Sequence, residues 1–410
     1  MGQGPLAGIR ILDMTSVLLG PYATQVLAEM GAEVIKLEPP EGDVVRLIGP
    51  MRNPGMGCMF LTLGRGKRSI CLDLKQEAAR QAARDVAATC DVLVTNIRPP
   101  AMARLGLDAA RLRAADPRLI YCAILGFGPD GPYAGRPAYD DLIQGLTALP
   151  HLVQRQTGGP PRYTPLALAD RVVGLHSLSA ILAALVERGR TGQGQLVEVP
   201  MFEVMASFVL GDHLTGMTYD PPADGGGYAR VLSPDRRPYA TRDGHICVMI
   251  YNDAQWRRFF AAIGEPERFD NDPRMASHTT RTTHIDAIYA ELGAILAGRT
   301  TAEWLEALGA ADVPCAPAHS LESLRADPHL QASGFFRAEA HPSEGPITAM
   351  AAPIRYGNHG EIPRAHTARL GADGPAVLAE AGYAAARIAA LAASGAMLMP
   401  PDDYSAQLSV

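Results

Sequence analysis

The chain of 410 residues is long enough for two domains, and 47% hydrophobic with 20% charged residues is typical of a globular protein. A formal net charge of −6, without any basic run, argues against nucleic-acid binding. No signal peptide and no apolar run of membrane-spanning length are recognisable, so we expect a cytoplasmic protein with no membrane contact. Six scattered cysteines without a CxxC pair predict small buried side chains in a reducing compartment.

The first part of the chain alternates predicted strands and helices. Gly8–Asp13 is predicted to be a strand, a helix opens at Gly20, and Glu33–Leu37 is predicted to be a second strand parallel to the first. The loop between them, MTSVLLGP, lacks the G-x-G-x-x-G pattern, which argues against NAD binding. Glu38 nevertheless stands where an acidic residue would bind a ribose.

Further strands are predicted within 64–75, at 91–95 and at 118–124, the last followed by a Gly-rich loop. This alternation predicts an open, mostly parallel α/β sheet, which binds ligands at the carboxyl ends of its strands. Six polar or basic residues lie in or just beyond the post-strand loops: Lys67, Arg68, Lys75, Asn96, Arg98 and Arg104. Any one of them is more commonly a solvated surface residue, but the group favours a phosphate-rich ligand.

The most apolar helix is predicted at Arg171–Arg188, with apolar residues over so much of its circumference that we expect it to be largely buried. Asp170 stands just before it. One interpretation is an N-cap, and the residues by themselves favour it. The other is a carboxylate that the helix dipole holds ionised at a ligand crevice, where it can act as a nucleophile. His176 is more typical of a satisfied core histidine than of a base.

The composition changes after this helix. Residues 212–244, rich in Pro and Gly, are predicted to be a linker with a mobile glycine loop. A smaller α/β region follows at 245–334, then an extended Pro-rich stretch at 335–363, and finally a helix pair with a loosely held tail from Met397. No G-x-S-x-G, H-E-x-x-H or P-loop motif occurs, and the eleven histidines show no ligand spacing, so we predict no metal.

Several long stretches, spread over nearly the whole chain, together resemble one family. They are LAGIRILDMTSVLLGPYATQVLAEMGAEVIKLEPPEGD, GKRSICLDLK, DVLVTNIRPPAMARLGL, GFGPDGPYAGRPAYDDLIQ, LALADRVVGLHSLSAILAALVERGRTGQGQLVEV and DVPCAPAHSLESLRADPHLQASG. The family that they resemble is the family III CoA-transferases, which includes formyl-CoA transferase, carnitine CoA-transferase and α-methylacyl-CoA racemase.

The resemblance implies a site. It assigns the catalytic aspartate to Asp170, which reverses the preference for a simple cap. The glycine loop that shields the intermediate from water falls on Gly225, Gly226 and Gly227. Contacts to CoA fall on residues that overlap the post-strand group: Leu72, Asp73, Leu74, Lys75, Asn96, Ile97, Arg98, Arg104, Pro137, Ala138, Tyr139 and Asp140.

The resemblance also implies a reaction, in which CoA moves from an acyl-CoA donor to a carboxylic acid acceptor through an aspartyl anhydride and an aspartyl-CoA thioester. Coenzyme A is substrate and product, and neither a metal nor NAD takes part. An aspartate is normally ionised at neutral pH and needs no base, which fits the absence of a catalytic dyad.

The fold that the resemblance implies is α/β, with an open, mostly parallel, Rossmann-like large domain and a smaller α/β domain in an interlocked homodimer. The large domain would comprise 1–211 and 364–410, and the small domain 245–334. The linkers would be 212–244 and 335–363.

Three departures from the family pattern qualify these expectations. Tyr139 stands where the racemase branch has a histidine, which favours a transferase over a racemase. Pro39 and Pro40 replace arginines that formyl-CoA transferase uses for CoA, so Arg46 or other basic groups would have to serve. The segment LGADG at 370–374 lacks the usual His-Thr.

A 2-methylacyl-CoA racemase and a non-catalytic acyl-CoA binding protein remain alternatives, while an NAD-dependent dehydrogenase is disfavoured by the missing glycine pattern. The donor and acceptor acids do not follow from the sequence. Four arginines of the loops are candidates for binding a dicarboxylate, although loop arginines are usually only solvated: Arg162, Arg230, Arg236 and Arg237.

Overall fold

A computed structural model describes residues 3–400 and divides the chain into two compact units. Within the described residues, the large unit comprises 3–147, 164–207 and 332–400, and the small unit comprises Ala148–Tyr163 and Phe208–Gln331. The segment 148–163, which the sequence analysis places in the large domain, therefore groups with the small unit. Residues 401–410, assigned above to the end of the large domain, lie outside the described residues.

The strands of the described chain form three sheets. The strands are β1 (Arg10–Met14), β2 (Glu33–Glu38), β3 (Lys67–Leu72), β4 (Val92–Thr95), β5 (Ile120–Leu125), β6 (Leu196–Pro200), β7 (Tyr239–Ala240), β8 (His245–Val248), β9 (Cys315–Pro317), β10 (Phe336–His341), β11 (Gly345–Met350) and β12 (Met397–Leu398).

The helices lie between and around these strands. They are α1 (Leu19–Glu29), α2 (Cys58–Leu63), α3 (Glu77–Ala87), α4 (Pro99–Leu105), α5 (Ala109–Ala115), α6 (Asp140–Leu146), α7 (Leu149–Thr157), α8 (Leu168–Thr191), α9 (Met201–His213), α10 (Ala229–Leu232), α11 (Asp253–Ala262), α12 (Arg268–Asn271), α13 (His278–Thr283), α14 (Ile285–Leu296), α15 (Thr301–Ala310), α16 (Leu321–Arg325), α17 (Pro328–Ala332), α18 (Gly374–Glu380) and α19 (Ala385–Ala393).

The large unit is built on a seven-stranded sheet in the order β12-β3-β2-β1-β4-β5-β6. Every neighbouring pair is parallel except β12, which runs antiparallel to β3. Strands β4 and β5 are buried at every residue, so both of their faces are covered, which explains their continuous apolar sequences. The predicted α/β class with a mostly parallel sheet is confirmed.

Helix α8 packs against α1 and against the sheet strands β5 and β6. At Gly174 an added Cβ would lie 2.8 Å from the Leu19 carbonyl oxygen, so glycine permits the close approach of α8 to α1. The prediction that this helix is largely buried is wrong, because part of its apolar surface is exposed: the side chains of Leu175 and Val186 are 45% and 66% exposed.

Among the described helices, α8 is also long and apolar enough to span a membrane by length and composition, contrary to the expectation that no such run exists. The core helix of a globular unit passes the same test, and α8 contacts two strands of the large sheet.

The small unit has its own apolar core beside the three-stranded antiparallel sheet β7-β8-β9. Four large aromatic side chains of α11 and α15 dominate this core: Trp256, Phe259, Phe260 and Trp304. Capping boxes at Asn252 and Thr300 begin these two helices. The unit therefore has the separate core that an independent folding unit needs.

Two segments, one predicted to be an extended linker and the other a loosely held tail, contain strands in the structure. Residues 335–363, predicted as a return linker, contain the antiparallel hairpin β10–β11. Met397 and Leu398, predicted to begin a loose tail, form β12 and pair with Leu72 and Cys71 of β3. The edge strand β12 therefore pairs with a strand that lies more than three hundred residues earlier in the chain. No local sequence pattern predicts such a pairing.

Candidate active site

The amino end of α8 brings Asp170 next to the first residue of α6. The backbone N–H of Asp170 donates to Oδ1 of Asp140 at 3.0 Å, and the two residues are 30 positions apart in the chain. Asp170 is only 8% exposed. The charge of Asp140 acts on the carboxyl of Asp170, so the two groups lie close together. Ala138, two residues before Asp140, packs against Gly126 directly after β5, at the edge of the sheet where α/β proteins bind ligands.

The capping interpretation of Asp170 is wrong. Helix α8 begins at Leu168, Ala167 is the N-cap residue, and no side chain caps this end. Asp170 therefore lies in the first turn, where free backbone N–H groups and the positive end of the helix dipole favour a negative charge. Within residues 3–400 no donor reaches its carboxylate oxygens, so this group is available to a ligand.

The electrostatics of Asp170 differ from the expectation of an ordinary ionised carboxylate. Burial, and next the negative charge of Asp140, raise the pKa of Asp170 to about 7, whereas Arg171 acts in the opposite direction. At neutral pH the carboxyl of Asp170 is therefore about half protonated. A carboxylate with this pKa is more nucleophilic and more basic than a solvated one, which is typical of a functional site.

Gln144, which the sequence analysis missed, connects the two segments. Its side chain is fully buried; its amide NH2 donates to Oδ2 of Asp140 at 2.6 Å and to the Leu166 carbonyl at 3.3 Å. Its amide oxygen accepts from the backbone N–H and the hydroxyl of Thr164 at 3.0 and 2.8 Å. These four bonds hold the approach to α8 against α6. The spacing from Asp140 to Gln144, one helical turn, was the available signal.

The residues that the resemblance assigns to CoA follow β3, β4 and β5, whose parallel alignment places their carboxyl ends at one edge of the sheet. The exposed members are Lys75, Arg98, Arg104, Pro137 and Tyr139, and the half-buried ones are Asp73, Leu74, Asn96, Ile97, Ala138 and Asp140. Leu72 is fully buried at the end of β3, so its side chain is not accessible to a ligand.

Asn96 has a further role at this edge. Its amide oxygen accepts from the Ser16 backbone N–H at 3.1 Å, and its amide nitrogen donates to the Ser16 carbonyl at 3.0 Å. This pair of bonds fixes the loop between β1 and α1 next to the loop after β4. Asn96 therefore positions backbone at the sheet edge.

Two of the six post-strand residues lie within a strand and do not follow one. Lys67 and Arg68 are the first two residues of β3, at the opposite end of the strand from the ligand edge. Lys67 is buried, and its ammonium group contacts Asp13 at 3.0 Å, while Arg68 pairs with Glu33 and Glu380. The prediction that they face a phosphate-rich ligand is wrong, because both are used in internal ion pairs.

A buried ion pair also corrects two predictions for the end of β2. Both oxygens of Glu38 accept from the Arg46 guanidinium at 2.7 Å, and the two side chains are 1% and 3% exposed. Burial opposes but Arg46 lowers the pKa of Glu38. Glu38 is therefore not a ribose ligand, and Arg46 does not replace the CoA-binding arginines missing at Pro39 and Pro40.

The predicted glycine loop belongs to the small unit and is held by hydrogen bonds there. The Gly227 N–H donates to the His213 carbonyl at 2.8 Å, and the Gly226 N–H donates to Asp224 at 2.8 Å. Gly227 has φ +102°, and a Cβ there would lie 2.7 Å from the guanidinium of Arg155. The positive φ requires glycine, whereas the flexible end of the Arg155 side chain can move away from a Cβ. Gly225 has no such neighbour within 4 Å.

The comparison with known proteins decides the family. The family model of "CoA-transferase family III" matches residues 6–374. This chain belongs to CoA-transferase family III.

Individual members of the family match this chain over most of their lengths. A succinate–glutarate CoA-transferase of Agrobacterium fabrum is 34% identical over 86% of this chain and 91% of that protein. A human succinyl-CoA:glutarate CoA-transferase is 30% identical over 86% of this chain and 80% of that protein. The crystal structure of a hypothetical protein from Mycobacterium tuberculosis has a TM-score of 0.77 and 30% identity, covering 92% of this chain and all of that one.

Membership in family III establishes the class of reaction. The chain is a CoA-transferase, and its substrates are CoA thioesters and carboxylic acids. The resemblance noted in the sequence is thereby confirmed.

The structure also locates the histidine and the cysteines that the sequence predicts to be buried. His176 is exposed, and its Nδ1 lies 2.9 Å from the Val172 carbonyl oxygen, so the expectation of a core histidine is wrong. Cys58 and Cys247 are exposed, contrary to the expectation that all cysteines are buried. In the described part of the chain no group of three or more His, Cys, Asp or Glu residues has the arrangement of a metal site.

Proposed function

We propose that this family III enzyme transfers CoA from an acyl-CoA to a carboxylic acid with Asp170 as the nucleophile. The observation that carries the proposal is a buried carboxylate in the first turn of α8, without a donor of its own, whose pKa is raised to about 7. Such a group is strongly nucleophilic when ionised and lies at the sheet edge that ligands occupy.

The first half-reaction forms and resolves an anhydride. An Asp170 carboxylate oxygen attacks the thioester carbonyl carbon, the carbon–sulfur bond breaks, and CoA leaves as a thiolate. The thiolate then attacks the aspartyl carbonyl carbon, and the donor acid leaves as its carboxylate. The enzyme now carries CoA as a thioester on Asp170.

The second half-reaction is the reverse with a different acid. The acceptor carboxylate attacks the aspartyl thioester carbon, which releases CoA thiolate and forms a new anhydride. The thiolate attacks the acceptor's carbonyl carbon, and the Asp170 carboxylate is restored. No net proton is consumed, so the sequence requires no general base.

Three exposed basic residues at the sheet edge are proposed to bind the phosphates of CoA: Lys75, Arg98 and Arg104. Contacts to this remote part of CoA hold the thiolate close to Asp170 between the two steps, so that its return is effectively intramolecular. We assign Leu72 and Asn96 to backbone positioning at this edge, since the first is buried and the second holds Ser16. We propose that the remaining residues assigned by the resemblance also contact CoA.

The glycine loop, Gly225–Gly227, is proposed to exclude water from the anhydride. An anhydride hydrolyses readily, so transfer needs a site from which water is kept out. The tight backbone of Gly226 and Gly227, both with positive φ, lets a loop pack closely without side chains.

We further propose that the functional form is an interlocked homodimer in the cytoplasm that binds neither nucleic acid nor membranes. The half-exposed apolar residues of α8 and an apolar groove of about 950 Å³ in the large unit, lined by Leu175, Leu178 and residues of β10 and β11, support a protein partner. Sedimentation should give twice the chain mass of 43.6 kDa. A monomer that is fully active would refute this assembly.

A 2-methylacyl-CoA racemase is the second candidate, because a carboxylate with a pKa of about 7 is also suited to remove an α-proton. Against it, Tyr139 is 67% exposed and replaces the histidine that the racemase branch uses as its second acid/base group. Exchange of the α-proton with solvent deuterium, without CoA transfer, would establish the racemase.

The test of the proposed function is the intact mass of the enzyme after incubation with a panel of acyl-CoAs. The panel includes succinyl-CoA and glutaryl-CoA, because two relatives are named for these acids. We expect a CoA-sized adduct that hydroxylamine removes, and its loss in Asp170→Asn. Asp141→Asn, on the exposed side of α6, is the matched control. An adduct that persists in Asp170→Asn would refute the assignment.

A further inference from the structure

The small unit contains a pocket whose charge the proposed chemistry at Asp170 does not use. Its volume is about 500 Å³, and strands β8 and β9, the segment before β7 and Tyr289 of α14 form its wall. Three of the four loop arginines noted in the sequence line it: Arg230, Arg236 and Arg237. The fourth, Arg162, is exposed and outside the lining. No aspartate or glutamate is among the lining residues.

Two of these guanidinium groups lack a negative partner within residues 3–400. Arg230 is half-buried and donates only to neutral groups, the hydroxyl oxygens of Tyr228 and Tyr289 at 3.2 and 3.5 Å. Arg236 has no ion pair or side-chain hydrogen bond. The side chain of Arg237 instead pairs with Asp235 at 3.0 Å. Positive charge in a pocket without a counter-charge favours an anionic ligand.

The rest of the wall is largely apolar and includes Pro238, Val248 and Met249. A wall of this composition fits a short aliphatic body that ends in an anionic group. The planar guanidinium forms paired hydrogen bonds with carboxylates and with phosphates, so the arginines by themselves accept either. The apolar wall favours an aliphatic carboxylate.

We propose that this arginine pocket, formed by Arg230 and Arg236 with Arg237 at its rim, binds a carboxylate of a short aliphatic dicarboxylic acid. Two guanidinium groups without an acidic partner favour a ligand that carries two negative charges. The pocket thereby selects diacids over monoacids of equal length.

Binding to the full-length enzyme without acyl-CoA tests the proposal separately from turnover. We would titrate glutarate, valerate and inorganic phosphate calorimetrically into the parent enzyme and into Arg230→Gln, Arg236→Gln and Arg162→Gln. We expect glutarate to bind more tightly than the other two. Loss of a charge-assisted hydrogen bond in Arg230→Gln or Arg236→Gln should weaken glutarate binding roughly tenfold or more. Arg162→Gln should leave it within about twofold.

A second measurement locates the bound acid. Cys247 lines the pocket and is exposed, so glutarate should slow its alkylation, measured by peptide mass spectrometry. Cys58, exposed in the large unit, is the internal control and should react at an unchanged rate. Both readouts use the folded parent protein, so they remain informative if an arginine variant folds poorly.

The outcomes separate the pocket from the reaction. Phosphate or valerate binding as tightly as glutarate, or Cys247 reacting equally fast with and without glutarate, would overturn the assignment of a diacid. A CoA adduct on Asp170 together with no glutarate binding would overturn the pocket while leaving the proposed function intact. Glutarate binding without any adduct would leave the pocket standing and refute the nucleophile.

Discussion

Replacing Asp170 by asparagine should stabilise the protein at alkaline pH while it removes the nucleophile. The folded chain raises the pKa of Asp170 from its ordinary 3.8 to about 7. Between these values the folded state keeps a proton that the unfolded state has lost. The free energy of unfolding must therefore fall as the pH rises through this window. Asparagine has nearly the same shape and carries no charge, so the variant escapes this loss.

The magnitude follows from the two pKa values. A rise from 3.8 to about 7 corresponds to about 4 kcal/mol of lost stability above pH 7, as an upper limit for this buried group. Below about pH 3 the carboxyl is largely protonated in both states, so the variant gains almost nothing there. Between pH 5 and pH 8 the advantage of Asp170→Asn should grow by roughly 3 kcal/mol.

Urea denaturation at pH 5, 6, 7 and 8, at one protein concentration, measures this difference. Asp141→Asn is the control, because Asp141 is an exposed carboxylate on the same helix as Asp140, and its effect should be small at every pH. An advantage of Asp170→Asn that does not change with pH, or a variant less stable than the parent at pH 8, would refute the argument from burial. Active-site groups that lower stability in this way are common, since function requires an unfavourable environment.

Three further predictions concern Asp140, Arg46 and Gly227. The rate of adduct formation should rise with pH, with a midpoint at about pH 7. Asp140→Asn should move this midpoint to lower pH, because it removes the negative charge next to Asp170. Arg46→Ala should lower the free energy of unfolding by about 3–5 kcal/mol in urea denaturation, because it leaves the buried Glu38 carboxylate without its guanidinium partner. Gly227→Ala should lower stability by about 1–3 kcal/mol and increase acyl-CoA hydrolysis relative to transfer, measured by chromatography, because φ +102° strains a residue with a Cβ.

Each of these has a matched control. Asp141→Asn should not move the pH midpoint, and an unmoved midpoint in Asp140→Asn would contradict the role of that charge. Arg257→Ala breaks an exposed pair with Asp270 and should cost under about 1 kcal/mol; an equal cost at Arg46 would show that its burial is unimportant. Gly225→Ala has open space for its methyl group and no positive φ, so it should keep the stability of the parent.

The family and the class of fold were predictable because they depend on local patterns. Apolar runs such as 92–95 and 120–125 encode buried parallel strands wherever the chain carries them, and glycines mark the turns between elements. The alternation of strands and helices then restricts the architecture to an open sheet, with its ligand edge at the strand ends. The same local pattern located Asp170 at the start of the apolar helix, and the family resemblance then singled it out as the proposed nucleophile.

What the local pattern did not contain is the partner of each charge. In the sequence, Lys67 and Arg68 looked like ligand-binding residues, but in the structure they form ion pairs with Asp13 and Glu33. Arg46 likewise looked available to a ligand, but it is paired with Glu38. These pairings join segments that only the packed sheet and its loops bring together. A formal charge in a sequence states neither its burial nor its neighbour, and these two quantities determine whether it binds a ligand.

Asp170 shows the division most clearly. The sequence by itself determined its identity, its place at the start of an apolar helix and the reaction class of the family. Only the tertiary structure decided that Ala167, and not Asp170, occupies the N-cap position and that Gln144 joins the segment before α8 to α6. It also decided that burial and the nearby Asp140 raise the pKa of Asp170. The physical reason is that helices and strands arise from periodicity over a few residues. The pKa of a buried carboxyl arises from desolvation and charges that residues far along the chain supply.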